Sequence, residues 1–156
     1  MLDIYNELLC RVLPTRPRPE IGRVLVTGAT GYIGGRLVPE LFARGYNVCT
    51  MLRVPLLGQQ ERWPGVEEVI ADAADPVALR AALRDVHTAY YLIHSLLLGP
   101  HRFEVADAEN AANFRRAAED AGVKRIIYLG GLGDIRTVLS PHLRSRARVA
   151  EELRSG

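Results

Sequence analysis

Three glycines, Gly28, Gly31 and Gly34, recur as G-x-x-G-x-x-G in Gly28-Ala29-Thr30-Gly31-Tyr32-Ile33-Gly34, just after the apolar run Arg23-Val24-Leu25-Val26-Thr27. Residues of that type at that spacing suit one kind of chemistry, the holding of a phosphate. The first glycine permits a tight turn out of a strand, and the bare second lets a pyrophosphate approach the backbone. The third lets the following helix pack closely on the strand. The unpaired N–H groups at the start of that helix then face the anion. No Gly-Lys-Ser/Thr follows, which excludes a P-loop.

Such a loop works only between a strand and a helix, and the sequence supplies both. From Arg23 onward, short apolar runs alternate with helical segments; strands are predicted at Arg23–Thr27, Asn47–Leu52, Val66–Ile70, Thr88–Ile93 and Arg125–Leu129. Their mostly continuous apolar character is that of strands covered on both faces. The helix after the glycine loop shows Ile33, Leu37 and Leu41 four residues apart and ends at Gly45. Pro39 lies inside it, and Gly35, four residues earlier, can bend to relieve the clash. Further helices are predicted at about Pro76–Arg84, Phe103–Ala121 (closed by Gly122) and Pro141–Leu153. The alternation predicts an α/β Rossmann fold, with a parallel sheet of about five strands in the order 3-2-1-4-5 and helices on both faces.

Residues 1–22 stand outside this pattern. Ile4, Leu8, Leu9 and Val12 recur at helical spacing, and Pro14, Pro17 and Pro19 then predict an extended linker. The expected division is therefore an arm over 1–22 and a single α/β domain over 23–156. With 48% hydrophobic and 24% charged residues the composition is that of a globular domain, and a net charge of +2 is too small for a nucleic-acid surface. The longest apolar stretch, Ala89–Leu98, is broken by His94 and Ser95 and is too short to span a bilayer. Cys10 and Cys49 form no CxxC pair and have no histidine at ligand spacing, so no metal site is expected and a reducing, cytoplasmic setting fits.

The string Thr27-Gly28-Ala29-Thr30-Gly31-Tyr32-Ile33-Gly34 resembles the TGxxGxxG signature of the extended and atypical short-chain dehydrogenase/reductases. The likeness continues through Ala71-Asp72-Ala73, Tyr90-Tyr91-Leu92-Ile93-His94-Ser95, Tyr128-Leu129-Gly130-Gly131-Leu132-Gly133 and His142-Leu143-Arg144-Ser145-Arg146. Together these segments resemble an NmrA-like bacterial group of NAD(P)-binding epimerase/dehydratase or reductase proteins. The resemblance implies that Gly28, Thr30, Gly31, Tyr32, Ile33 and Gly34 follow the pyrophosphate. It implies that Asp72, with Ala73, meets the adenine, and that His94 and Ser95 line the nicotinamide ribose. Asp72 as a simple turn cap and His94 as a sheet-edge histidine stay open as alternatives. Implied partners are the dinucleotide and a small-molecule substrate that the sequence does not identify; a homodimer is compatible with it.

The end of the second strand bears on which dinucleotide binds. A carboxylate there accepts from the ribose 2′-OH of NAD, whereas the 2′-phosphate of NADP wants arginine. The sequence offers Met51-Leu52-Arg53 and no acid until Glu61, which points to NADP read by Arg53, with NAD as the alternative. Arg36, in the first turn of the loop helix, is either a second contact or a solvated side chain.

The catalytic signature of the resembled superfamily is missing. Its tyrosine acid/base has a lysine four residues on, but no tyrosine here is followed by lysine at that spacing, and Lys124 is the only lysine in the chain. The matching helix carries His142 and Arg146, and Gly130-Gly131 replace the usual serines. The family continues into a substrate-binding region, so the chain, ending at Gly156, is expected to be the N-terminal portion of a longer protein. Two functional classes follow, an oxidoreductase or epimerase/dehydratase whose cofactor half is present, and a non-catalytic sensor of the NmrA type. Hydride transfer needs a proton donor, an oxyanion partner and a closed pocket in one geometry. The chain alone should therefore oxidise no NADPH above the protein-free rate with a panel of aldehydes, ketones, quinones and nucleotide sugars. Turnover that vanished in His142→Ala would instead make that histidine the acid.

Overall fold

Hydrophobic strands separated by helix-forming segments can pair in the same direction only through crossovers, and this chain does so throughout. A computed structural model describes residues 16–56, 58–95, 103–131 and 140–155. In chain order the elements are β1 (Arg23–Thr27), α1 (Tyr32–Ala43), β2 (Asn47–Leu52), a single turn α2 (Gln59–Arg62), β3 (Glu67–Ile70), α3 (Pro76–Ala82), β4 (Val86–Tyr91), α4 (Phe103–Asp120), β5 (Arg125–Tyr128) and α5 (Pro141–Arg154). The sheet has five strands in the order β3-β2-β1-β4-β5. Every pairing is parallel, with Val24 opposite Val48 on one side and Thr88 on the other. This is the predicted Rossmann topology.

Alternation along β1 builds two cores. Val24 and Val26 point to the face where Val38 and Leu41 of α1 pack with Val48 and Val66. Leu25 points to the other face, with Cys49, Leu79 and Leu83 and with Ala111, Phe114 and Val149 of α4 and α5. Tyr91 meets the Phe114 ring edge-on at 5.0 Å between centroids. Burial pushes the Cys49 thiol up to about 11, so this cysteine is a neutral core side chain.

Four local expectations change. The buried stripe of α1 runs Gly34, Val38, Leu41, whereas Ile33 is exposed. The helix approaches the sheet through its bare glycine, which rotates the stripe away from Ile33. Strand β4 ends at Tyr91, because the Thr27 hydroxyl donates to the Tyr90 carbonyl at 3.0 Å and accepts from the Leu92 N–H at 2.9 Å. A side chain thus replaces the ladder at the point where β1 and β4 diverge. The outer strands β3 and β5 are only partly covered, unlike β1 and β2. Pro19–Ile21 forms a 3-10 turn, so the proline linker is not extended at that end. The predicted N-terminal helix, with Cys10 and Pro14, lies outside the described residues.

At the base of the sheet Arg23 reaches three neighbours. It donates to Glu67 Oε1 on β3 at 2.6 Å, to Cys49 Sγ on β2 at 3.2 Å, and to the Arg84 carbonyl after α3 at 3.1 Å.

The tightest fit is at Gly34, where an added Cβ would lie 2.4 Å from the Gly28 carbonyl oxygen and 2.6 Å from Ala29 Cα. Both are backbone atoms that cannot swing aside. Gly34→Ala should therefore force α1 off β1 at a cost of about 1–3 kcal/mol, read as a lower midpoint in thermal or urea unfolding.

Candidate functional site

The C-terminal ends of parallel strands leave a crevice where the winding direction reverses, here between β1 and β4. A cleft of about 740 Å³ occupies that place. Its floor is the glycine loop. Gly28 turns with φ +61°, and an added Cβ there would lie 2.7 Å from the Leu92 carbonyl oxygen. Only glycine combines that backbone with that contact. Gly31 differs, since it caps α1 with φ −77° and an added Cβ would meet only the Gly28 carbonyl oxygen, at 3.3 Å. No side chain caps the first turn of α1, whereas Asp75 and Ser140 cap α3 and α5. The N–H groups at the start of α1 are therefore left for an anion.

The residues singled out in the sequence separate into two groups. Gly28, Thr30, Gly31, Arg53, Asp72, Ala73, His94 and Ser95 all line the cleft. Tyr32, Ile33 and Gly34 do not appear in its lining. Gly34 is buried behind the loop, and Tyr32 is exposed on α1 with the Arg36 guanidinium 4.5 Å from its ring centroid. Asp72 combines two roles, since its Oδ1 accepts the Ala74 N–H at 2.9 Å while the residue borders the cleft. The helix cap proper is Asp75, which accepts from Val77 and Ala78.

His142 is exposed in the first turn of α5, and no α5 residue lines the cleft among the described residues. Arg146, one turn on, lies 5.4 Å from the Tyr128 ring centroid and donates to the Leu129 carbonyl. Burial holds the Tyr128 hydroxyl above its usual range, with Arg146 pulling the other way. Among the described residues no cluster of His, Cys, Asp or Glu could hold a metal ion, and no helix is long and apolar enough to cross a membrane.

Helix α4 supplies what the sequence reading missed. Ala106, Glu109 and Asn110 line the cleft, and Asn113 donates to the Ala73 carbonyl at 3.3 Å. Asp107 is 6% exposed and accepts the Ser95 N–H at 2.7 Å and the Ser145 hydroxyl at 2.9 Å. An aspartate among alanines on an otherwise amphipathic helix was the available signal.

A bare loop on the floor, an open helix N-terminus and a cleft at the strand ends between β1 and β4 define the class, a Rossmann-type dinucleotide-binding domain. The chain belongs to the NAD(P)H-binding family, whose model matches residues 28–153. It is 33% identical over 119 residues to cinnamoyl-CoA reductase 1 of Oryza sativa, a match covering 72% of this chain and 35% of that protein. It is 26% identical over 141 residues to the nitrogen metabolite regulation-like protein bik4 of Gibberella fujikuroi, covering 81% and 40%. Among solved structures, the Citrobacter triphenylmethane reductase complexed with NADP(H) superposes with a TM-score of 0.71 at 27% identity, over 85% of this chain and 45% of that one. MoeE5 in complex with UDP-glucose and NAD gives 0.66 at 25%, over 85% and 48%. The chain thus spans about a third of the length of the first curated relatives it matches. The resemblance to extended short-chain dehydrogenases and NmrA-like proteins is borne out.

Proposed function

We propose that the chain is the NADP-binding portion of a short-chain dehydrogenase-like oxidoreductase or epimerase/dehydratase, with 1–22 as a separate arm and 23–156 as the cofactor domain. One observation carries the choice of cofactor. Arg53 borders the cleft at the end of β2, and no carboxylate from that strand end accompanies it. A ribose 2′-phosphate finds a guanidinium there, and a 2′-OH finds no carboxylate on the end of β2. In this reading the pyrophosphate rests on Gly28–Gly31 and the helix start, the adenosine lies toward Arg53 and Asp72, and the nicotinamide lies toward His94 and Ser95. When bound, the dinucleotide supplies the hydride chemistry; the chain's residues bind and orient it.

A second reading, a non-catalytic cofactor sensor, is favoured by two features. His142 and Arg146 stand away from the cleft lining, and bik4 is among the relatives. Hydride transfer to any substrate by a longer form of the protein rejects the sensor.

Titration followed by nicotinamide fluorescence should show tighter binding of NADPH than of NADH. Arg53→Asp should reverse the order, since a charge-assisted contact worth about 1.5–3 kcal/mol becomes a repulsion. Equal affinity of the wild type for both cofactors would remove Arg53 as the phosphate reader.

Gly31→Val offers a separate check. The backbone there suits any residue, so the circular dichroism should persist while dinucleotide binding falls below detection. Unchanged affinity in the folded variant would refute the placement of the pyrophosphate.

A further inference from the structure

We propose that Asp107 is a positioning residue that sets the nicotinamide-side wall of the cleft by holding Ser95 in register with α5. The inference rests on reading the cleft as a dinucleotide site. The two halves of that cleft are built differently. On the adenosine side the lining follows β2 and β3 directly, carrying Arg53 and Asp72. On the other side the chain has already left the sheet, because the Thr27 hydroxyl takes the Leu92 N–H and ends the ladder at Tyr91. His94 and Ser95 therefore have no strand partner to place them.

Asp107 replaces that partner. One carboxylate oxygen accepts the Ser95 N–H at 2.7 Å, and the other accepts the hydroxyl of Ser145, which is 1% exposed on α5. The carboxylate is thereby held from both ends and cannot rotate without losing a bond. Its neighbours Ala106, Glu109 and Asn110 are themselves part of the cleft wall, so the same helix that fixes the Ser95 segment also faces it. A buried acceptor left with one donor would release the wall, and the reach of His94 and Ser95 toward a ligand would vary by the small distances to which oriented binding is sensitive.

The test compares whole cofactor with its adenosine fragment, using NADPH with 2′,5′-ADP or, for a chain that prefers NAD, NADH with ADP. Asp107→Ala should raise the ratio of Kd for the cofactor to Kd for the fragment by roughly tenfold, the scale of one lost bond to a charged acceptor. A reduced folded fraction weakens both ligands equally and leaves the ratio unchanged, so a merely structural role is distinguished. Asp107→Asn should restore the ratio, since its amide oxygen still accepts from Ser95 and its NH₂ can donate to the Ser145 hydroxyl. If Asp107→Ala does not fold, Ser145→Ala provides the reading, with an expected rise of several-fold. An unchanged ratio in the folded variant overturns the inference alone. A wild-type chain that binds neither dinucleotide overturns both the inference and the reading beneath it.

Discussion

The backbone of α1 rests directly on the backbone of the turn that precedes it, with Gly34 against Gly28 and Ala29 and no side chain between. Everything in the cleft depends on that contact. A helix held one methyl further away would carry its N-terminus off the floor and weaken its field where an anion would sit. It would also open the space beneath Val38 and Leu41, the residues that seal one core. Close packing is thus set by Gly28 and Gly34, where an added Cβ meets backbone, and Gly31 is left at the helix start with room around it.

The cleft end of the sheet, on the side facing α4, is organised by polar groups. Thr27, Asp107, Ser145 and Asn113 are buried or half-buried, and each bonds a backbone group or another side chain across elements. Their partners are strand ends and turns, the places where backbone groups lose the ladder and must be satisfied another way. The cleft mouth is therefore shaped by side-chain bonds and its floor by the absence of side chains.

Strand order and type were legible because the runs from Val24, Val48 and Ala89 are apolar for reasons of burial on both faces. Boundaries were less so. Leu92 and Ile93 look like strand residues by composition, and only the spatial neighbour Thr27 removes them from the ladder. The stripe on α1 misled for a similar reason, since apolar spacing favours Ile33 and Leu37 while contact distance favours the residue with no side chain. At the site, the glycine loop and Arg53 were readable from local spacing. Asp107 was not, because an aspartate among alanines marks the position but its two partners lie 12 and 38 residues away.

The Arg23 guanidinium gives the sheet an uneven stiffness. It gathers β2, β3 and the turn after α3 at the end opposite the cleft, its own side chain 15% exposed against a Glu67 partner that is 55% exposed. A sheet pinned at its base can splay only at its rim, as a fan opens from its rivet. Any spreading of β1, β2 and β3 would then be greater at the mouth of the cleft than at the base, where Arg23 ties the strands.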